Sequence, residues 1–344
     1  MLLVIFGAGA SYDSVPSRPP GADPAWEVAN FRMPLANDLF ADKFHTLGNV
    51  GTIGECQPII PSLQLGNVEA ELEQLREEAE HYPKAFQQLA AVRFYLQHML
   101  FECERRWIQS AIPHGISNYK TLLDQIEKCQ QGGTSCLVTF NYDTLIDGAL
   151  DSVATPIRTM DDYVSHDGYK LIKLHGSTNW GREIFNQFAS VGTWDKVHNS
   201  IKDAASLRIG DRYVLTNEHP IVHANGISLI PAIAIPFESK KTFECPASHV
   251  ASLERCLPDV SKVLTIGWRG AEVHFLEVLK KHLKRKVSVM IVAEAQARCQ
   301  EVEDNLTKGG VDGTFNYSVG GFTGFVLSRE LRQFLQRKDD ESEE

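Results

Sequence analysis

Two apolar periods divide the chain. Short continuous apolar runs, bounded by glycine or polar residues, lie at Leu2–Phe6, Ser135–Phe140, Lys170–Leu174, Lys262–Ile266 and Lys286–Val292, with a last candidate at Thr314–Tyr317. Runs without polar alternation predict strands buried on both faces, as in a parallel sheet. Between them the spacing turns helical. Asn67–Glu80 places Val68, Leu72 and Leu75 on one stripe, with its carboxylates on a solvated face. Ala85–Ile112 reads as a long apolar helix and Tyr119–Gln130 as another, ended by Gly132 and Gly133. Further helices are expected from near Thr144, over Ala271–Lys284 and over Ser328–Arg337. Ile227–Ile235 is apolar but punctuated by Pro231 and Pro236, and the proline-rich segment 13–34 has no period, so a long loop is expected there. Strands alternating with helices predict an α/β fold with a parallel sheet flanked by helices. The expected organisation is one domain, 1–338, with helical insertions at about 13–131 and 178–226 and an acidic tail, 339–344.

Composition narrows the class. The formal charge is −10, from 34 Lys and Arg against 44 Asp and Glu, and five of those acids lie in the last six residues. A mildly acidic chain does not indicate nucleic acid as a partner. Seven cysteines at irregular spacing, with no C-x-x-C pair, fit neither a disulfide framework nor a tetrahedral zinc site, so no metal is expected. Reduced thiols point to the cytoplasm. The opening M-L-L-V-I-F-G-A-G lacks the basic region of a signal peptide, and no segment has the ~20 apolar residues of a membrane span.

Candidate chemistry collects where the apolar runs end. F-G-A-G-A-S follows the first, with Gly7, Ala8, Gly9, Ala10 and Ser11 in a turn whose glycines would let a pyrophosphate approach the backbone. A dehydrogenase fingerprint wants a further glycine where this chain has Tyr12. T-F-N-Y-D ends the second run, offering Asn141 and Asp143 either to a ligand or as caps of the next helix. K-L-I-K-L-H-G-S-T-N-W delivers His175 directly into a turn. V-L-T-I ends in G-W-R-G-A-E, with Gly267 and Trp268. V-S-V-M-I-V runs into Glu294, either an acceptor for an adenosine ribose or a first-turn helix acid. In an open α/β sheet ligands bind at the carboxyl ends of strands, so a shared edge would gather all five into one site.

The order G-A-G-x-S, T-F-N-Y-D, L-H-G-S-T-N-W, I-G-W resembles the sirtuin superfamily, and more closely the sirtuin-like NAD hydrolases of prokaryotic anti-phage systems. That resemblance implies a Rossmann-like NAD-binding core from residue 1 to about 325. Asn141 and His175 would match its catalytic pair, and Gly7, Ala8, Gly9 and Ser11 its phosphate-contacting turn. Asp143 would lie near the nicotinamide ribose, with Gly267, Trp268 and Glu294 toward the adenosine half. The four-cysteine zinc module of deacylating sirtuins is missing.

The implied activity is cleavage of NAD, as substrate, to nicotinamide and ADP-ribose, linear or cyclic. Asn141 would position the ribose or a water, and His175 would serve as general base. The resemblance also implies an anti-phage effector controlled by self-assembly, as a homo-oligomer, or by a separately encoded partner, a HerA-type ATPase or a nucleotide-processing enzyme. The competing readings are an NAD- or ADP-ribose-sensing subunit without turnover, and a protein deacylase or ADP-ribosyl transferase.

Overall fold

The run Leu2–Phe6 forms β1, every residue buried, and it sits in the middle of a six-stranded parallel sheet. The other strands of that sheet are β2 (Ser135–Thr139), β3 (Tyr169–Lys173), β8 (Lys262–Ile266), β9 (Val287–Ala293) and β10 (Gly313–Val319). The computed structural model describes residues 1–14, 32–111, 117–130, 133–154, 156–186, 192–237 and 242–336. Most of the proline-rich segment and the acidic tail lie outside them.

The strand order is β10-β9-β8-β1-β2-β3. From β1 the chain winds outward through β2 and β3, then returns to the other side of β1 and winds outward again through β8, β9 and β10. Direction therefore reverses between β1 and β8, which is the switch point where a doubly wound sheet opens a crevice. Register lines up the carboxyl ends. Lys173 pairs with Thr139, Thr139 with Phe6, Phe6 with Ile266, Ile266 with Val292, and Val292 with Ser318. The turns after the strands thus leave from a single row.

Helices cover the sheet. In chain order they are α1 (Ala8–Tyr12), α2 (Ile60–Leu65), α3 (Val68–Ala79), α4 (Pro83–Ala111), α5 (Asn118–Gln130), α6 (Leu145–Val153), α7 (Asp162–Ser165), α8 (Thr193–Lys202), α9 (Ala247–Cys256), α10 (Val273–His282), α11 (Gln296–Lys308), α12 (Gly321–Leu327) and α13 (Glu330–Gln336). Helix α3 starts where the Asn67 side chain accepts the Glu69 and Ala70 N–H groups, and it buries Val68, Leu72, Leu75 and Ala79 as its stripe requires. Pro83 opens α4, a place where its missing N–H costs nothing. No helix among the described residues is long and apolar enough to cross a membrane.

A second sheet follows β3 directly. Strands β4 (Gly176–Ile184), β5 (Ile209–Leu215), β6 (His223–Ala224) and β7 (Ile227–Ile233) form an antiparallel sheet ordered β5-β4-β7-β6. Segment 178–226 therefore contributes strands as well as helix α8. The passage between sheets is made by Gly176, at φ +78, where an added Cβ would fall 1.9 Å from the Ala232 carbonyl oxygen. Only glycine fits that conformation and that approach. His175 is thus the last residue before the chain leaves the parallel sheet.

Candidate active site

A cleft of about 980 Å³ opens at the carboxyl row, at the upper end of the size range of ligand pockets. Gly7, Ala8, Gly9 and Ser11 line it from β1, Asn141 and Asp143 from β2, and His175 from β3. Gly267 and Trp268 line it from β8 and Glu294 from β9. Ala10 is fully buried beneath the turn.

Two turns interlock at the switch point. The Gly7 N–H donates to the Ile266 carbonyl and the Gly9 N–H to the Gly267 carbonyl, both at 3.0 Å. A Cβ at Gly7 would lie 2.5 Å from the Gly267 oxygen, and one at Gly267 would lie 2.3 Å from the Ala10 nitrogen. The glycines are therefore required because backbone meets backbone, and the Gly7 and Gly9 N–H groups are already committed. A pyrophosphate approaching this turn would therefore meet neither of those two N–H groups. What the turn does offer a ligand is a low wall without side chains.

Asn141 sits in a buried hydrogen-bonded chain. Its Nδ2 donates to Ser11 Oγ at 3.0 Å and to the Tyr119 hydroxyl at 3.3 Å, while Ser11 Oγ and Tyr119 OH lie 2.8 Å apart. Ser11 also hydrogen-bonds the Asp143 carboxyl. Donor accounting gives one consistent direction: Tyr119 O–H to Ser11, Ser11 O–H to Asp143, and the Asn141 amide to both hydroxyls. That order fixes the carboxamide, leaving Oδ1 as its acceptor for a ligand. Tyr119, on α5, had no signal in the sequence beyond its place in an apolar stripe. Burial raises its pKa well above the ordinary phenol, so it remains a donor.

The Asp143 carboxyl also accepts the Leu145 N–H at 3.1 Å, so it helps start α6 as well as lining the cleft. Burial raises its pKa, while Lys173 and Ser11 pull it down. Lys173 itself is fully buried at the end of β3, its ammonium donating to the Asp143 carbonyl at 2.6 Å and to Asp147 at 2.8 Å. A lysine inside an apolar run was the available sign of such a pair.

His175 is 8% exposed and packs against Phe140 and Tyr142, the residues flanking Asn141, with ring centroids 5.0 and 6.0 Å away. Its Nδ1–H donates to the Phe140 carbonyl at 3.1 Å. A carbonyl can only accept, so Nδ1 carries the proton and Nε2 is the basic nitrogen of the neutral ring. Trp268 stacks on Phe140 at 5.7 Å and 3° and donates its indole N–H to Glu272 at 2.6 Å. It is a wall of the cleft. Glu294 is mostly exposed at the rim, 3.8 Å from Arg298 on α11. Arg269, on the turn after β8, also lines the cleft and lies 3.5 Å from Glu69 of α3. It is a cation beside the glycine turn that the sequence reading did not single out.

Fold and cleft together define a doubly wound, Rossmann-like α/β protein with a switch-point pocket. No protein-family model matches the chain, and no curated protein matches it. Among solved structures, one described as "The Structural basis of Sirtuin Substrate Affinity" is similar over 98% of this chain and 93% of that chain, at 14% identity and a TM-score of 0.38.

Proposed function

We propose that the protein is an NAD glycohydrolase, cleaving NAD with water to nicotinamide, ADP-ribose and a proton. The observation that carries the reading is the convergence of His175, Asn141 and the interlocked glycine turns on one pocket at the switch point. The resemblance of their sequence motifs to sirtuin-like NAD hydrolases supplies the substrate.

The chemistry asks little of an acid. Nicotinamide leaves a cationic nitrogen as a neutral molecule, so the site has to orient the ribose, support the developing oxocarbenium ion and deliver a nucleophile. The Asn141 carboxamide oxygen, with its amide held by Ser11 and Tyr119, would accept from a ribose hydroxyl or from the attacking water. His175 Nε2 would take the proton of that water as its oxygen bonds to C1′, and release it to solvent. Asp143 would stand near the nicotinamide ribose, and Arg269 beside the diphosphate. Glu294, at the rim, would face the adenosine ribose.

An enzyme that empties a cell of NAD must be silent until triggered. The reading therefore includes an anti-phage effector role and control by self-assembly or by a separately encoded partner. The test is NAD consumption by the lone protein and by the protein with the products of adjacent genes, the nicotinamide and ADP-ribose being separated and quantified. His175→Ala and Asn141→Ala are each expected to lower turnover by roughly 100- to 10,000-fold with the fold intact. Wild-type turnover in both variants would remove this pair from the mechanism.

A further inference from the structure

Helix α4 buries two polar side chains against the core. Gln97 is fully buried and Glu104 is 5% exposed, and their seven-residue spacing puts them on one stripe, two turns apart. Each reaches a segment that carries a proposed catalytic residue. The Glu104 carboxyl accepts the Thr144 N–H at 3.1 Å, bonds the Thr144 hydroxyl, and accepts the Thr178 hydroxyl at 3.1 Å. Gln97 donates to the Thr178 carbonyl at 2.9 Å. Thr144 lies three residues after Asn141, and Thr178 three after His175.

The two segments also touch directly. The Thr178 N–H donates to the Tyr142 carbonyl at 2.8 Å, and the Ser177 hydroxyl donates to the same carbonyl at 3.2 Å. Those bonds fix the distance between the segments. Lys173 and His175 add bonds to the Asp143 and Phe140 carbonyls, and Glu104 grips both segments from a further element, helix α4, on the chain-wise far side of Asn141 and His175. A buried carboxyl is costly unless its oxygens are satisfied. Here three donors meet it, from two segments far apart in the chain, which is more than anchoring α4 would require.

We infer that Glu104 is a positioning residue, setting Asn141 and His175 in register with each other, so that the first insertion is a working part of the site. The kinetic half of this inference rests on the NAD-cleavage reading; the geometric half does not. Glu104→Gln can keep an oxygen for the Thr144 N–H and the Thr178 hydroxyl and turn its amide N–H to the Thr144 hydroxyl, which can accept. Glu104→Ala leaves all three donors without the carboxyl.

The experiment uses the full chain and measures three things: NAD affinity by calorimetry, single-turnover NAD cleavage, and the ring signals of His175 and amide signals of Asn141 by NMR without nucleotide. Glu104→Ala is expected to lower kcat by roughly 100-fold, the cost of an ångström-scale misplacement, with NAD affinity within about 2-fold. The His175 and Asn141 signals should both shift. Glu104→Gln should recover most of kcat and near wild-type signals, and Thr178→Val should add little to the effect of Glu104→Ala. If Glu104→Ala does not fold, Thr178→Val alone should still shift both residues' signals. Unmoved signals in the folded variants overturn the inference, as does a loss in affinity without a loss in kcat. A wild-type protein that cleaves no NAD either alone or with the products of adjacent genes sinks the hydrolase reading, and the NMR signals then decide the role of Glu104 alone.

Discussion

Glu104 is a buried acid that keeps its proton longer than a carboxyl should. Burial, with the neighbouring Asp143 charge, raises its pKa to about 7, against the opposing pull of Thr144 and Lys173. A pKa raised in the folded state means that folding binds a proton more tightly. That contribution to stability is complete below the unfolded carboxyl's pKa and fades as pH rises toward 7. For a shift of this size the loss is about 3 kcal/mol. Asp143 is raised too and works in the same direction. Glu104→Gln has no proton to lose. Denaturant unfolding should therefore find Glu104→Gln gaining on the wild type between pH 5 and pH 7.5. A stability difference equal at the two pH values would show that Glu104 ionises as an ordinary surface acid does.

At the scale of elements, the strand-to-strand passage at Gly176 couples fold to site. An alanine there meets two obstacles at once: a left-handed backbone, and a Cβ overlapping the Ala232 carbonyl of β7. Relief requires β4 to pull away from β7, and His175 sits one residue earlier. Gly176→Ala should cost about 2–4 kcal/mol in unfolding experiments and depress NAD turnover together with stability. Gly148, with no atom near an added Cβ and an ordinary helical place in α6, is the control: Gly148→Ala should be neutral or slightly stabilising. Equal losses in the two variants would remove the special status of Gly176. The same stretch shows what could be read in advance. Short, mainly apolar runs such as Leu2–Phe6 and Lys262–Ile266 were legible to the residue, because a strand buried on both faces leaves no regular polar alternation. Helix α3 was legible from its stripe. The antiparallel sheet was not: G-S-T-N-W-G-R-E-I mixes small, polar and apolar residues, its pairing partner lies some 50 residues onward, and Pro231 sits inside β7. Of helix α11 only the opening near Glu294 was legible, as one of two roles for that acid, because only Cys299, Val302 and Leu306 mark its buried side amid charged residues. As for the cleft, the strand-end residues were legible because ligands of open α/β sheets bind there, whereas Tyr119 and Glu104 reach them from helices whose sequence advertises packing.

At the scale of the whole molecule, the cleft belongs to neither half of the winding. Gly7 and Ser11 follow the central strand, with Asn141 and His175 to one side and Gly267 and Glu294 to the other. A small ligand would touch one side only; on the proposed reading a dinucleotide would lie across the switch point, with its nicotinamide end at β2 and β3 and its adenosine end at β8 and β9. Hydrogen exchange reads that difference directly, since an amide opens less often when a ligand bridges the segments around it. Adding NAD to His175→Ala, in which turnover is suppressed, should slow exchange in 7–11, 141–145, 174–178 and 267–273 together. The edge strand β5, on the far margin of the second sheet, should not respond. ADP-ribose, lacking the pyridinium, should protect 267–273 as NAD does but leave 174–178 less protected. Protection confined to one side of β1 would mean that the pocket holds something smaller than a dinucleotide, and the hydrolase reading would fall with it.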